Sequence, residues 1–128
     1  MKDLKLSRET ALQFIAQKEF ALAGVSRDSR KFGHVVFKTL KTKGYKVSPI
    51  NPLAESIGDE PCFKSVRDLP ENVKSLVIVL KPSETEKMVK EAIERGIKQI
   101  WIQQGSQNEN AVKMAREAGI TLITDKCI

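Results

Sequence analysis

The segment from Gly24 to Gly33, GVSRDSRKFG, follows an apolar run, precedes a helical pattern and holds residue types that bind phosphate. Its two glycines allow a tight turn and the close approach of a ligand to the backbone. The start of a helix beside Gly33 offers unpaired amides with a partial positive charge. Ser26 and Ser29 add hydroxyl donors. Three cations complete the set: Arg27, Arg30 and Lys31. The loop is therefore a candidate anion-binding site.

This loop differs from the familiar nucleotide-binding motifs. Ser26 stands where a Gly-x-Gly-x-x-Gly motif has its middle glycine, and the loop is longer. The next predicted strand ends in Ile50-Asn51-Pro52, without the acid that usually holds the ribose hydroxyls of NAD. A Gly-Lys-Ser/Thr motif is absent, which excludes a P-loop kinase. A redox or regulatory protein that binds NAD(P) or another adenine nucleotide stays open as the alternative.

Short apolar runs predict five strands, and helical patterns lie between them. The strands are expected at 20–24, 45–50, 75–80, 97–102 and 120–124, the third as a continuous apolar run typical of a strand covered on both faces. Residues 53–74 predict an irregular segment with one helical turn at 66–69. Glycines close three of the predicted helices, at positions 44, 96 and 119.

The starts of the helices carry capping signals. Ser7 is expected to cap the first helix, with Leu12, Ile15 and Ala16 as its apolar stripe. The second helix opens near Gly33. Two Ser-x-x-Glu capping boxes, at 83–86 and 106–109, are expected to begin the last two helices.

Alternating strands and helices predict an α/β fold with parallel strands and right-handed crossovers. We expect one domain over residues 1–128, with residues 1–18 forming a helix packed on a compact open sheet that has helices on both faces. In such sheets ligands bind beyond the carboxyl ends of the strands. The loops at that edge are 24–33, 51–58, 81–83, 103–106 and the tail after 124.

The composition describes an ordinary globular chain with a net charge of +6. Its basic residues cluster between Arg27 and Lys46, and we expect Lys38, Lys41 and Lys43 simply to solvate a helix face. Since no aromatic residue is interleaved in the basic loop, nucleic-acid binding is not indicated. No apolar run approaches the ~18 residues of a membrane span, and the N-terminus lacks an apolar signal core, so we expect a cytoplasmic protein without membrane contact.

Few residues have the chemistry of catalysts or metal ligands. His34 is the single histidine and is expected at the surface or as a cap, with a phosphate contact as the alternative. Cys62 is expected to be a buried or half-buried thiol. Asp125 and Cys127 follow the last strand, where Cys127 could form a mixed disulfide with a thiol ligand. Trp101 is expected in the core. No catalytic constellation and no zinc site are indicated.

Four segments together resemble a known family. They are FALAGVS at 20–26, GYKVSPINP at 44–52, WIQQG at 101–105 and DKC at 125–127. In these segments the chain is similar to the small stand-alone CoA-binding domain proteins, which look like the nucleotide-binding half of the succinyl-CoA synthetase alpha subunit without its catalytic half. The resemblance runs from about Glu19 to the end of the chain.

The resemblance implies a Rossmann-like three-layer sandwich with a five-stranded, mainly parallel sheet that binds coenzyme A or an acyl-CoA without catalysis of its own. A homodimer or an unidentified protein partner stays open. The loop from Gly24 through Val25 and Ser26 to Gly33 would take the phosphates, although the family often has alanine at the Val25 position. Asn51-Pro52 would border the adenosine. The remaining positions that the resemblance assigns are Lys81 and Pro82, which would cover the other side of the ligand, and Gln103, Gln104 and Gly105, which would complete the groove.

Coenzyme A carries both a diphosphate and a 3′-phosphate, so the cations at Arg27, Arg30 and Lys31 suit it better than they suit NAD. Charge-assisted contacts contribute roughly 1.5–3 kcal/mol each. Two such contacts could therefore separate coenzyme A from dephospho-CoA.

Overall fold

The computed structural model of the chain describes residues 2–25, 28, 30–58 and 60–126, with residues 2–8 and 125–126 described by their backbone alone. Four helices are present in this part of the chain: α1 (Lys2–Ala16), α2 (Phe32–Thr42), α3 (Pro82–Arg95) and α4 (Glu109–Glu117). Seven strands accompany them: β1 (Glu19–Ala23), β2 (Lys46–Ile50), β3 (Ser56–Ile57), β4 (Glu60–Pro61), β5 (Ser75–Ile78), β6 (Gln99–Gln103) and β7 (Thr121–Lys126). A 3-10 turn covers Val66–Asp68.

Five strands form one parallel sheet in the order β2-β1-β5-β6-β7. The order reverses at β1, because β2 lies on one side of it and all later strands of the sheet lie on the other. The predicted parallel α/β sheet is thus confirmed. The segment 53–74 adds a two-stranded hairpin, β3-β4, that the sequence did not predict, and the predicted helical turn is confirmed.

The core has two layers, one on each face of the sheet. On one face α3, α4 and the 3-10 turn contribute buried residues such as Val89 and Ala115. On the other face α1 and α2 contribute buried residues such as Phe14 and Phe37. Helices therefore cover both faces, as predicted. Trp101 is buried in the second layer, where the sequence placed it in the core.

The first helix differs from its prediction. It begins at Lys2, so Ser7 lies inside it and does not start it. Its buried residue is Phe14, 1% exposed, whereas Leu12 of the predicted stripe is 60% exposed and Ala16 is also exposed. The Phe14 ring lies 5.6 Å from the rings of both Phe20 and Trp101, edge-on to the latter. Aromatic packing between elements decides which face of α1 is buried.

Both capping-box predictions are wrong. Helix α3 begins two residues earlier than a Ser83 cap would place it, at Pro82, whose fixed φ suits the first helical position, and its N-cap Lys81 makes no side-chain cap bond. Helix α4 is capped by Asn108, whose side chain accepts a hydrogen bond from the Ala111 amide at 3.0 Å. The Ser106 hydroxyl is used elsewhere, at the loop that follows β5.

The turns before β2, β6 and β7 lie at the amino edge of the sheet, and each contains a predicted glycine with positive φ: Gly44, Gly96 and Gly119. Strand β2, which contains Pro49, is the last strand on its side of the sheet, a position that suits a residue without an amide donor. Its outer edge is joined by Phe63, whose amide donates to the Pro49 carbonyl at 2.8 Å.

Candidate functional site

The junction between β1 and α2 brings a helix start directly onto the end of a strand. Gly24 has a φ of +101°, and a Cβ added there would lie 1.9 Å from the Val79 carbonyl oxygen. A Cβ added at Gly33 would lie 2.0 Å from the Gly24 carbonyl oxygen. Only glycine fits at either position. The amides at the start of α2 are therefore held at the carboxyl edge of the sheet, where the strand order reverses.

Among the described residues, the N-cap of α2 makes no side-chain hydrogen bond to the start of the helix. Its N-cap is Lys31, which is exposed and makes no side-chain cap hydrogen bond. The first amides of a helix have no partner within the helix and carry a partial positive charge. Together with the nearby cations, they form an arrangement that favours an anion.

Two of the predicted cations of this loop, Arg30 and Lys31, differ in whether they form an ion pair. The Arg30 guanidinium donates to both carboxylate oxygens of Asp28 at 3.1 Å, and the Arg30 amide donates to the same carboxylate at 2.9 Å. These side-chain and backbone hydrogen bonds lower the pKa of Asp28 below its ordinary value. Arg30 thus closes a local turn, whereas Lys31 makes no ion pair within the described chain. Ser26, Arg27 and Ser29 lie outside the described residues.

Asn51 joins the loop after β2 to the loop after β1. Its side-chain amide donates to the Val25 carbonyl at 2.8 Å, and its side-chain oxygen accepts from the Leu53 amide at 2.8 Å. The residue that replaces the acid of NAD-binding domains therefore fixes the geometry of the site, with both ends of its amide engaged by backbone.

The loop after β5 is fixed from the next strand along. The Ser106 hydroxyl accepts from the Leu80 amide at 3.2 Å, and the Asn108 side chain donates to the Pro82 carbonyl at 3.2 Å. The loops that follow β1, β2, β5 and β6 are thus connected in two pairs, and a ligand at this edge meets a surface whose backbone is already positioned.

Two grooves open at this edge, on either side of Gly24 and Leu80. The larger, which we call the β2 groove, has a volume of ≈ 610 Å³. It runs between the end of β2 and the exposed side of α3. Four of its wall residues are predicted site residues: Gly24, Val25, Asn51 and Pro52. The other wall residues include several that the sequence did not single out: Leu53, Lys64, Ser65, Glu84, Lys87, Met88 and Glu91.

The second groove, which we call the β6 groove, has a volume of ≈ 480 Å³ and lies between the start of α2 and the loop after β6. Its walls include several of the predicted site residues: Gly24, Lys31, Gly33, Lys81, Pro82 and Gly105. Two others, Gln103 and Gln104, line neither groove: Gln103 is buried at the end of β6, and Gln104 is exposed. Their assigned role stays a prediction.

Sequence reasoning missed the far walls of the grooves. Lys64 and Ser65 belong to the irregular segment that folds back past β2, and no local pattern indicates where such a segment lies. Lys87 and Glu91 could have been found, because their spacing places them on one side of α3, beside the buried face that carries Val89. Phe32, 54% exposed on the wall of the β6 groove, was also missed.

Of the remaining chemistry-bearing residues, His34 and Cys62 line neither groove. His34 is 7% exposed, so the prediction of a surface histidine is wrong; the first turn of α2 packs it inward. Cys62 is a half-buried free thiol, as predicted, and burial raises its pKa. Asp125 lies in β7, and Cys127 is outside the described residues.

Two other features, a metal-binding cluster and a membrane-spanning helix, are absent from the described part of the chain. No cluster of three or more histidine, cysteine, aspartate or glutamate residues could hold a metal ion there. None of its helices combines the length and the apolar character that crossing a membrane requires.

Comparison with known proteins identifies relatives over nearly the whole chain. The family model described as "CoA binding domain" matches residues 18–128. The uncharacterized protein YneT of Bacillus subtilis is 27% identical over 111 residues, which are 87% of this chain and 82% of YneT. The alpha subunit of the ADP-forming acetate–CoA ligase II of Pyrococcus furiosus is 29% identical over an alignment of 126 residues that covers 90% of this chain.

The chain spans only part of the ligases: 28% of that alpha subunit, and 18% of the ADP-forming acetate–CoA ligase of Methanocaldococcus jannaschii, with which it shares 30% identity. Solved structures of similar size also match. A conserved hypothetical protein from Pyrococcus furiosus has a TM-score of 0.82 and 35% identity, with 85% of this chain and 94% of that chain covered. A hypothetical protein from Pyrococcus horikoshii has a TM-score of 0.86 and 31% identity, with coverage of 94% and 85%.

Proposed function

The chain belongs to the CoA binding domain family, and from this premise we propose that it binds coenzyme A or an acyl-CoA at the loop after β1, without catalysing a reaction on it. The observation that carries the proposal is the pair of glycine contacts at this loop. Because Gly24 and Gly33 have no side chains, the start of α2 lies directly against the end of β1, and neither position has room for a side chain. The N-cap residue of α2 makes no side-chain hydrogen bond to this start. A diphosphate is the part of the ligand that such a helix start favours.

We propose that each half of the ligand occupies one of the two grooves. In doubly wound folds the adenosine lies toward the end of the second strand. We therefore place the adenosine in the β2 groove beside Asn51 and Pro52, and the pantetheine arm in the β6 groove beside Lys81 and Pro82. The grooves meet at Gly24, so a diphosphate bound there would connect the two halves.

Recognition of the CoA moiety is supported by the part of the ligases that the chain matches. The ligases among the relatives are named for an activity, yet this chain corresponds to only 18–28% of their length. We infer that the chain carries the function of that shared part, recognition of the CoA moiety.

Isothermal titration calorimetry with coenzyme A, acetyl-CoA and NADH tests the proposal. We expect one molecule of coenzyme A per chain, with an affinity at least about tenfold higher than that for NADH, a difference of ~1.4 kcal/mol. A protein that is folded by circular dichroism and shows no heat of binding with coenzyme A at about 1 mM would contradict it. Incubation of acetyl-CoA with ADP and phosphate, followed by chromatography, tests for turnover; formation of ATP would contradict the non-catalytic part.

A further inference from the structure

Two lysines face the β2 groove from opposite walls. Lys64 lies in the segment after the β3-β4 hairpin, and Lys87 lies on α3. Both are exposed, and within the described chain neither forms an ion pair. Lys41 provides a contrast, since its ammonium lies 3.0 Å from a Glu60 carboxylate oxygen. The two groove lysines therefore keep their charge available to a ligand.

Their position relative to β2 indicates which part of a ligand they would meet. In doubly wound folds a side chain at the end of the second strand contacts the adenosine ribose, and a nearby cation accommodates a phosphate on that ribose. Here the strand ends at Ile50, and the next side chain, Asn51, is occupied by the Val25 carbonyl and the Leu53 amide. The cations that line the same groove are Lys64 and Lys87.

The two cations of the β1 loop that the structure describes, Arg30 and Lys31, are less suited to that phosphate. Arg30 is held by Asp28, and its side chain is 89% exposed. Lys31 lines the β6 groove, on the other side of Gly24 from the end of β2. Its position suits the diphosphate or the pantetheine arm better than the ribose.

We propose that Lys64 and Lys87 receive the 3′-phosphate of the adenosine end of coenzyme A, and that they distinguish coenzyme A from dephospho-CoA. This inference rests on the proposed function. Two acids, Glu84 and Glu91, line the same groove and repel any anion that the lysines do not pair. The lysines offset the charge of these acids as well as that of the phosphate, so each contributes to the affinity for the 3′-phosphate.

The test is calorimetric titration of coenzyme A and of dephospho-CoA into the wild type and into Lys64→Gln, Lys87→Gln and the double variant. Charge-assisted contacts to a phosphate, reduced by solvent exposure, predict a loss of about fivefold to tenfold in affinity for coenzyme A from each single change. The double variant is expected to lose about 30-fold or more. Affinity for dephospho-CoA is expected to stay within about twofold throughout.

Lys90→Gln is the matched control, because Lys90 is an exposed lysine of the same helix that lines neither groove. It is expected to leave both affinities unchanged, and thermal melts confirm that each variant is folded. Equal losses for the two ligands, or none for either, would overturn the assignment, as would a wild type that binds dephospho-CoA as tightly as coenzyme A. In those cases the proposed function stands. A wild type that binds neither ligand would contradict both the proposed function and the assignment of the two lysines.

Discussion

Replacing Gly33 with alanine tests the close approach of α2 to β1 on which the site depends. The new Cβ would lie 2.0 Å from the Gly24 carbonyl oxygen, whereas real contacts of this kind are almost never below 3.0 Å. The helix start must therefore retreat by about 1 Å or more. Overpacking against backbone costs roughly 1–3 kcal/mol. Alanine regains up to about 1 kcal/mol of helix propensity.

We expect a net loss of about 1–2 kcal/mol in the free energy of unfolding. For a chain of 128 residues this lowers the melting temperature by roughly 4–7 °C, from the usual unfolding entropy per residue. Differential scanning calorimetry measures the shift. Because the displaced amides no longer meet the diphosphate in place, affinity for coenzyme A is expected to fall by about tenfold or more in a titration of the folded variant.

Gly96→Ala is the control, since a Cβ there meets nothing within 4 Å and the position lies at the opposite edge of the sheet. Its φ of +87° costs about 1–2 kcal/mol with alanine, so the variant is also destabilised, but its affinity for coenzyme A is expected to be unchanged. A Gly33→Ala protein that melts at or above the wild-type temperature and binds coenzyme A normally would refute this account of the loop.

Three further changes test other parts of the structure. Phe14→Ala is expected to cost about 3–5 kcal/mol in urea unfolding and Leu12→Ala about 0.5 kcal/mol or less, since only the first is buried; similar costs would show that α1 packs by another face. Asn51→Asp places a carboxylate against a carbonyl oxygen and is expected to cost about 1–3 kcal/mol and to weaken coenzyme A binding, whereas an unchanged melting temperature would argue against the hydrogen bond between the two loops. A Cys127→Ser variant leaves Cys62 as the only thiol, and burial raises the pKa of Cys62, so the folded protein holds less thiolate at pH 8. Ellman's reagent is therefore expected to react more slowly with the folded variant than with the same variant in denaturant. Equal rates would contradict the burial of the thiol.

The order of the elements could be predicted because each strand is a short apolar run between turn residues. The run from Ser75 is the clearest case, since all four residues of β5 are buried. Gly44 and Gly96 marked helix ends correctly because the left-handed conformation there favours glycine. Phe14 was missed because the alternative stripe through Leu12 has equally good helical spacing, and only contacts with distant strands decide between the two faces.

The candidate site was predictable to the extent that it consists of strand ends. Parallel strands share one carboxyl edge, so Gly24, Asn51 and Pro82 could be placed near one another from the order of elements alone. The walls contributed by Lys64 and by the outer side of α3 could not, because they depend on how the segment 53–74 folds back past β2. The hydrogen bond by which Asn51 connects the two loops could not be predicted either, because the position of the Val25 carbonyl that accepts it is not evident from the sequence.

The turns at the amino edge of the sheet lie at the opposite edge from both grooves. Gly44, Gly96 and Gly119 all lie there, and each has open space where a side chain would begin. A fluorophore, a surface tether or an inserted peptide attached at these turns would project away from both grooves. The protein could therefore be immobilised or labelled with the edge that carries both grooves directed into solution.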